Sequence, residues 1–195
     1  MTTWAVIPAK PPGRGKSRLS GLLDDAARSA LVERMLAHVL ETALASRHVD
    51  HVCLLGAARA GLPQGLVRLD DPGDGLNPAL AHALAHVSAE GASRVIVLPA
   101  DLPQLIPADV SLLAAAAPGS VAIAPDRHGL GTNALSLPLP AAAGFLFAFG
   151  DDSFARHRAE AERLGLAVET VHNLRLERDV DLAEDLPDAA ALMRS

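Results

Sequence analysis

Arg94-Val95-Ile96-Val97-Leu98-Pro99-Ala100-Asp101-Leu102-Pro103 is the stretch that decides the fold. Its opening run is apolar and β-branched and spares no face for water, which marks a central strand of a parallel sheet, buried on both sides. The run stops at Pro99, and Pro99 and Pro103 bracket a single carboxylate, Asp101, whose direction they fix. A strand covered on both faces needs helices above and below it, so the flanking chain should alternate short strands with longer helical segments.

Upstream, Trp4 to Pro8 reads as a strand, and Asp24 or Asp25 can cap a helix in which Leu31, Val32, Met35, Leu36, Val39, Leu40, Ala43 and Leu44 recur at helical spacing. His51 to Leu55 and Val67 to Leu69 read as two more strands. Turn formers fill Asp70 to Pro78, where Asn77 is placed to cap, and Pro78 to begin, a helix running to about Ala89. Downstream, Pro107 to Ala117 reads as helix, then Val121 to Pro125 and Asn133 to Leu139 as strands, with Pro138 marking an edge or a strand end. Ser153 to Leu164 is expected to be helical, Ala167 to Val171 extended, and the chain from Leu182 onward a last helix. The class is α/β, with mixed strand order near the end and helices on both faces of the sheet. Neither a repeat nor a linker interrupts the pattern, so one domain over residues 1–195 is expected.

A chain of 195 residues is long enough to bury about 70% of the surface its unfolded form exposes. Half the residues are hydrophobic, yet aromatics are only 3% and Tyr is absent, so the core must be built mainly from Ala, Leu and Val. The formal net charge is -6 and basic residues cluster only near the N-terminus, which argues against a nucleic-acid partner. Cys53 is the single cysteine and lies in an apolar run, consistent with a buried thiol in a reducing compartment. Pro8, Pro11 and Pro12 break the first apolar stretch, and no apolar run approaches the roughly 20 residues that span a bilayer. A cytoplasmic chain without a membrane partner is expected. Helix faces rich in Ala and Leu suit packing on the sheet or on a second copy, which leaves a homodimer open.

Ligands of open α/β sheets bind beyond the carboxyl ends of the strands, which directs attention to Ala9 to Arg18, Asp70 to Asn77, and Asp101. Gly15-Lys16-Ser17 invites a Walker-A reading, but the glycine that motif needs five positions earlier is Lys10. What remains is a loop carrying Lys10, Arg14, Lys16 and Arg18, four cations that form either a solvated basic turn or a grip on an anion. A triphosphate would supply that anion and accept charge-assisted hydrogen bonds. Asp101 suits a hard cation such as Mg²⁺, which takes one or two carboxylates plus phosphate oxygens; its alternative is to cap the following turn. Asp179 and Asp181 stand at alternate positions and would point the same way if extended. They can complete a metal site with Asp101, or Asp181 can cap the last helix with Glu184 at its third position. Gly150, the backbone around Ser153 and a helix N-terminus make an anion site to which Thr132 can add a hydroxyl; an ordinary N-cap is the other reading of Ser153. The histidines lack metal-ligand spacing, since Ala83 replaces the acidic residue that His82 and His86 would need between them, and they read as surface or satisfied polar residues.

Taken in order, Val6-Ile7-Pro8-Ala9-Lys10 with Lys16-Ser17-Arg18-Leu19, Gly75-Leu76-Asn77, Pro99-Ala100-Asp101-Leu102-Pro103, Gly131-Thr132-Asn133-Ala134-Leu135, Phe149-Gly150-Asp151-Asp152-Ser153 and Asp179-Val180-Asp181 resemble the 2-phospho-L-lactate guanylyltransferase family of coenzyme F420 biosynthesis. The resemblance covers nearly the whole chain. It implies a single-domain nucleotidyltransferase fold, Rossmann-like and of the GT-A type. It further implies GTP as donor, Mg²⁺, and a phosphorylated three-carbon acid as acceptor: 2-phospholactate, phosphoenolpyruvate or 3-phosphoglycerate. By position, Lys10, Lys16, Arg18 and Asn77 would hold GTP, and Asp101, Asp179 and Asp181 the metal. Lys10, Lys16, Arg18 and Asp101 would be catalytic, while Thr132, Gly150 and Ser153 would receive the acceptor acid. The product would pass to a later transferase of the same pathway.

Overall fold

The computed structural model describes residues 1–193. β1 (Thr3–Pro8), α1 (Asp25–Leu44), β2 (His51–Leu55), β3 (Leu66–Leu69), α2 (Leu76–Ala89), β4 (Arg94–Val97), α3 (Pro107–Ala114), β5 (Ser120–Pro125), β6 (Thr132–Pro138), α4 (Ser153–Arg163) and β7 (Ala167–Thr170) follow one another, with a 3-10 turn at Ser17–Leu19 and another at Ala183–Ala189. The expected last helix is therefore mostly 3-10, interrupted by Pro187, with a short α-helical end at Ala190–Met193; residues 194 and 195 lie outside the described residues.

Among the described residues the strands form one seven-stranded sheet in the order β3-β2-β1-β4-β6-β5-β7. β1 pairs parallel with β2 and β4, and β5 with β7, while β6 runs antiparallel between β4 and β5. The central strand Arg94–Val97 is thus buried as expected, and the sheet is mixed as expected, the antiparallel strand beside it being β6. Pro138 sits at the end of β6, an interior strand, where the missing N–H falls at the margin of the ladder.

Alternation along each strand sends side chains to opposite faces and builds two cores. Trp4, Val6, Val95 and Val97 pack under α2 and α4, together with Leu80, Leu84 and Ala161. Ala5, Ile7, Ile96 and Leu98 pack under α1 and α3, with Leu36, Leu40, Val110 and Leu113. α1 starts where Asp24 accepts from the Ala27 N–H at 2.7 Å. Cys53 is fully buried, and burial pushes its thiol up to about 11, so it stays protonated at neutral pH.

A third, smaller core decides the position of the site. Leu19, Leu31, Met35, Val180 and Ala189 pack together, tying the first 3-10 turn and the start of α1 to the C-terminal segment. Strand order reverses between β1 and β4, and their register sets Val6 opposite Val97. The loops that leave β1 and β4 consequently open side by side at the switch point of the sheet.

Candidate active site

The loop after β1 turns back on itself at Gly15 and Lys16, and Lys16 adopts the left-handed conformation at φ 50. That rare backbone directs its ammonium inward, where it donates to Asp101 at very short range and to Asp181 at 2.8 Å. Burial alone would depress the ammonium, but the two carboxylates outweigh it and hold Lys16 above its ordinary value. Arg18 stays exposed and reaches Asp181 at 3.9 Å.

Asp101 and the 179–181 segment meet through the backbone, because the Val180 N–H donates to the Asp101 carbonyl at 3.3 Å. Val180 is buried in the small core, so its neighbours Asp179 and Asp181 both face the other way. One oxygen from each of Asp101, Asp179 and Asp181 lies within 4.8 Å of the others. Burial, then the charges of Asp101 and Asp181, push the Asp179 carboxyl up to about 6. These hard oxygen donors fit a divalent cation, and the ammonium already seated between two of them shows that the spot attracts positive charge.

The reading of Asp181 as a helix cap is corrected here. The cap is Leu182, and Asp185 accepts from the Asp181 and Leu182 N–H groups at 2.8 and 2.7 Å. Asp185 is itself held by Arg127, which leaves the Asp181 carboxylate free to face Lys16.

A cleft of about 560 Å³ runs from these carboxylates along the β1 loop to the loop before α2. Lys10, Arg14, Lys16, Asp71, Gly75 and Leu76 are among its walls. Arg59, which sequence reasoning did not single out, braces this loop: it donates to the Lys10 carbonyl at 2.6 Å and pairs with Glu33 at 2.9 Å. No local pattern could flag a residue whose partners come from other elements.

Asn77 does not cap α2, since Gly75 holds that position. Nor does its amide face the cleft. Its oxygen accepts from the Phe149 N–H at 2.8 Å and its nitrogen donates to the Phe149 carbonyl at 3.1 Å, so both ends are committed. Asn77 ties the wall of the cleft to the segment that carries Gly150.

Thr132 and Ser153 come together at the start of α4, where the Phe154 N–H donates to the Leu130 carbonyl at 3.0 Å. Asn133, next to Thr132, reaches Asp179 at 3.4 Å and links this corner to the carboxylate cluster. Two details differ from the sequence reading. Asp152, at φ 52, is the N-cap, which places Ser153 one residue inside the helix; and the Ser153 N–H already donates to the Gly150 carbonyl at 3.2 Å. The hydroxyl of Ser153, and whatever capacity the Thr132 hydroxyl keeps beyond its contact with His157 at 3.0 Å, are left to a ligand in place of the Ser153 backbone.

His157 is a second residue that sequence reasoning passed over. It is fully buried beside Thr132 and burial pulls it down to about 4, so it is neutral at physiological pH. The available signal was the spacing Ser153, His157, Glu160, which places polar groups on the inward face of a helix otherwise rich in charge.

A triphosphate-sized cleft at the switch point, basic at the loop and acidic where β4 ends, defines a nucleotidyltransferase. The family model described as guanylyl transferase CofC like matches residues 3–192, and the chain belongs to that family. A phosphoenolpyruvate guanylyltransferase of Conexibacter woesei is 40% identical, the match covering 100% of this chain and 90% of that relative. A 2-phospho-L-lactate guanylyltransferase of Methanothermobacter thermautotrophicus is 39% identical, over 95% of this chain and 83% of that relative. The fold is shared more widely: a nucleotidyl transferase structure from Methanothermobacter thermautotrophicus superposes with a TM-score of 0.67 at 17% identity, over 99% of this chain and 98% of that one. No helix among the described residues is long and apolar enough to cross a membrane.

Proposed function

We propose that the enzyme moves GMP from GTP onto a phosphorylated three-carbon acid and releases pyrophosphate, with phosphoenolpyruvate as the first acceptor to test. The observation that carries this reading is the meeting of three carboxylates with Lys16 at the end of the cleft, with Asn133, beside Thr132, bonded to one of them. The names of the relatives at about 40% identity support phosphoenolpyruvate ahead of 2-phospholactate. 3-Phosphoglycerate keeps the same phosphate and carboxylate and is the third acceptor to compare.

In this reading Lys10, Arg14, Lys16 and Arg18 receive the triphosphate by charge-assisted hydrogen bonds, and Lys16 exchanges some of its carboxylate contact for phosphate oxygens. Asp101, Asp179 and Asp181 would hold Mg²⁺, which when bound would offset the charge of the phosphates. An oxygen of the acceptor phosphate attacks the α-phosphorus of GTP in line, a P–O bond forms, and the bond from the α-phosphorus to the bridging oxygen breaks as pyrophosphate leaves. The acceptor phosphate is ionised at neutral pH, so the step needs no general base; this agrees with a buried, neutral His157. Positioning and charge neutralisation supply most of the rate. The activated acid suits a later transferase that displaces GMP, as coenzyme F420 assembly would require.

Pyrophosphate release, measured with GTP or CTP against phosphoenolpyruvate, 2-phospholactate, 3-phosphoglycerate and a sugar phosphate, tests the reading. Turnover of GTP with a three-carbon acid is expected. Turnover only with the sugar phosphate would sink it.

A further inference from the structure

His157 stands on the buried face of α4 and touches two separate segments at once. Its Nδ1 lies 3.0 Å from the Thr132 hydroxyl, and its Nε2 lies 2.9 Å from the Ala148 nitrogen. A backbone N–H can only donate, so Nε2 must be the bare, accepting nitrogen of the ring. A neutral imidazole carries one proton, which then sits on Nδ1. Nδ1–H therefore donates to Thr132, and the threonine oxygen receives rather than gives along that line. The hydroxyl's own proton is left without a partner among the described residues.

We infer that His157 is a positioning residue that occupies one lone pair of the Thr132 hydroxyl and so aims its proton toward an anionic acceptor, here a carboxylate or phosphate oxygen. The inference rests on the proposed acceptor site at Thr132 and goes beyond it by assigning the polarity of the hydroxyl and the residue that sets it. An uncommitted threonine would present both lone pairs and its proton in any rotamer and would discriminate weakly against neutral or donor-bearing ligands; one held by Nδ1–H keeps a single free lone pair and favours a ligand oxygen that accepts its proton.

The surroundings hold the ring in this role. Phe145 and Phe149 flank it, with ring centroids 5.7 and 4.7 Å away, and exclude water that could supply a competing proton. Glu160, one turn further along α4, accepts from the Leu146 N–H at 2.8 Å and pairs with Arg163, and its charge favours a protonated ring by less than burial opposes one. Asn77 clamps the Phe149 backbone from the side of the nucleotide cleft. Residues 146–149 are thereby pinned by α4 and α2 together, and His157 joins that segment to the first residue of β6.

Nitrogen NMR of the imidazole at pH 7 tests the assignment without any substitution: a protonated Nδ1 and a bare Nε2 are expected, and the opposite tautomer or an imidazolium overturns it. Kinetics with GTP and phosphoenolpyruvate test the consequence, using variants whose fold is checked by circular dichroism. His157→Phe should raise the acceptor KM roughly tenfold or more, the ratio expected when a hydrogen bond to a charged group is weakened, with the GTP KM within about threefold. His157→Gln, which can accept from Ala148 and donate to Thr132, should restore most of the loss. In a Thr132→Val background His157→Phe should add little. Additive effects, or equal effects on both KM values, would remove His157 from this role. If Thr132→Val itself leaves the acceptor KM unchanged, the acceptor site is what fails, and the NMR result separates the two failures.

Discussion

Lys16 and Asp179 are both pushed up by the same crowd of carboxylates, which keeps the first charged and favours the neutral form of the second. The ammonium is held firmly protonated by Asp101 and Asp181, whereas Asp179, buried beside those same carboxylates, resists ionising. Without a cation the site stores repulsion, and a cation relieves it. Asp101→Asn should therefore cut kcat by about a hundredfold or more, the scale seen when one electrostatic group is removed from a reaction site, while GTP binding measured by fluorescence titration changes little. Near-full activity would exclude Asp101 from the centre. Asp179→Asn should do something less common and stabilise the metal-free protein above pH 6. The carboxyl that holds its proton to about 6 when folded would lose it near 3.8 when unfolded, which disfavours the folded state by up to about 3 kcal/mol once both are ionised. A higher melting temperature together with lost turnover is the expected pair of results; a lower one contradicts the account.

Elements convert these side chains into a site by bringing loops into register. Gly56 ends β2 at φ +144, and a Cβ there would meet the Ala9 carbonyl oxygen at 2.5 Å. Gly56→Ala thus forces apart the strand ends that carry the basic loop, and should cost about 2 kcal/mol or more in chemical denaturation and raise the GTP KM. The C-terminal segment plays the corresponding part for the carboxylates. Asp185 is 1% exposed and accepts two backbone N–H groups in addition to Arg127. Asp185→Ala leaves those two N–H donors unpaired, leaves the Arg127 guanidinium only its contact with the Asp179 carbonyl, and should destabilise by about 3 kcal/mol. It should also raise the Mg²⁺ concentration needed for half-maximal rate, because Asp181 loses its anchor. An unchanged requirement would uncouple the segment from the metal site.

The whole molecule should show a pH profile in which two buried groups oppose each other. His157 titrates near 4 when folded and near 6.5 when unfolded, so the unfolded chain binds more protons in that window and stability falls as pH drops through it. Asp179 acts in reverse: the folded chain keeps its proton between about 4 and 6, and stability rises as pH drops. The contributions are similar, each about 3 kcal/mol at most, and largely cancel in the metal-free protein. Denaturation measured from pH 7 to 4 should accordingly be nearly flat for these two groups. Asp179→Asn should expose a loss in acid, and His157→Gln a gain. Both variants tracking the parent chain would contradict the pairing.

The sequence by itself determined the class and the succession of strands and helices along the chain, since the short unbroken apolar runs at Trp4 to Pro8 and Arg94 to Leu98, and helical spacing from Leu31 to Leu44, are local signals that burial must obey. It also marked the basic loop and Asp101, because the carboxyl ends of buried strands are legible from where apolar runs stop. Tertiary structure decided the rest. Lys16 and Asp181 lie 165 residues apart, and no spacing predicts that they touch or that Asp181 faces a site instead of capping a helix. The insertion of β6 between β4 and β5 chose where the antiparallel strand lies and brought Asn133 to Asp179. Asn77, Arg59 and His157 have partners supplied by other elements, and a hydrogen bond's direction depends on which donor the fold presents. Periodicity records what each residue faces, core or water; only the packed chain records whom it faces.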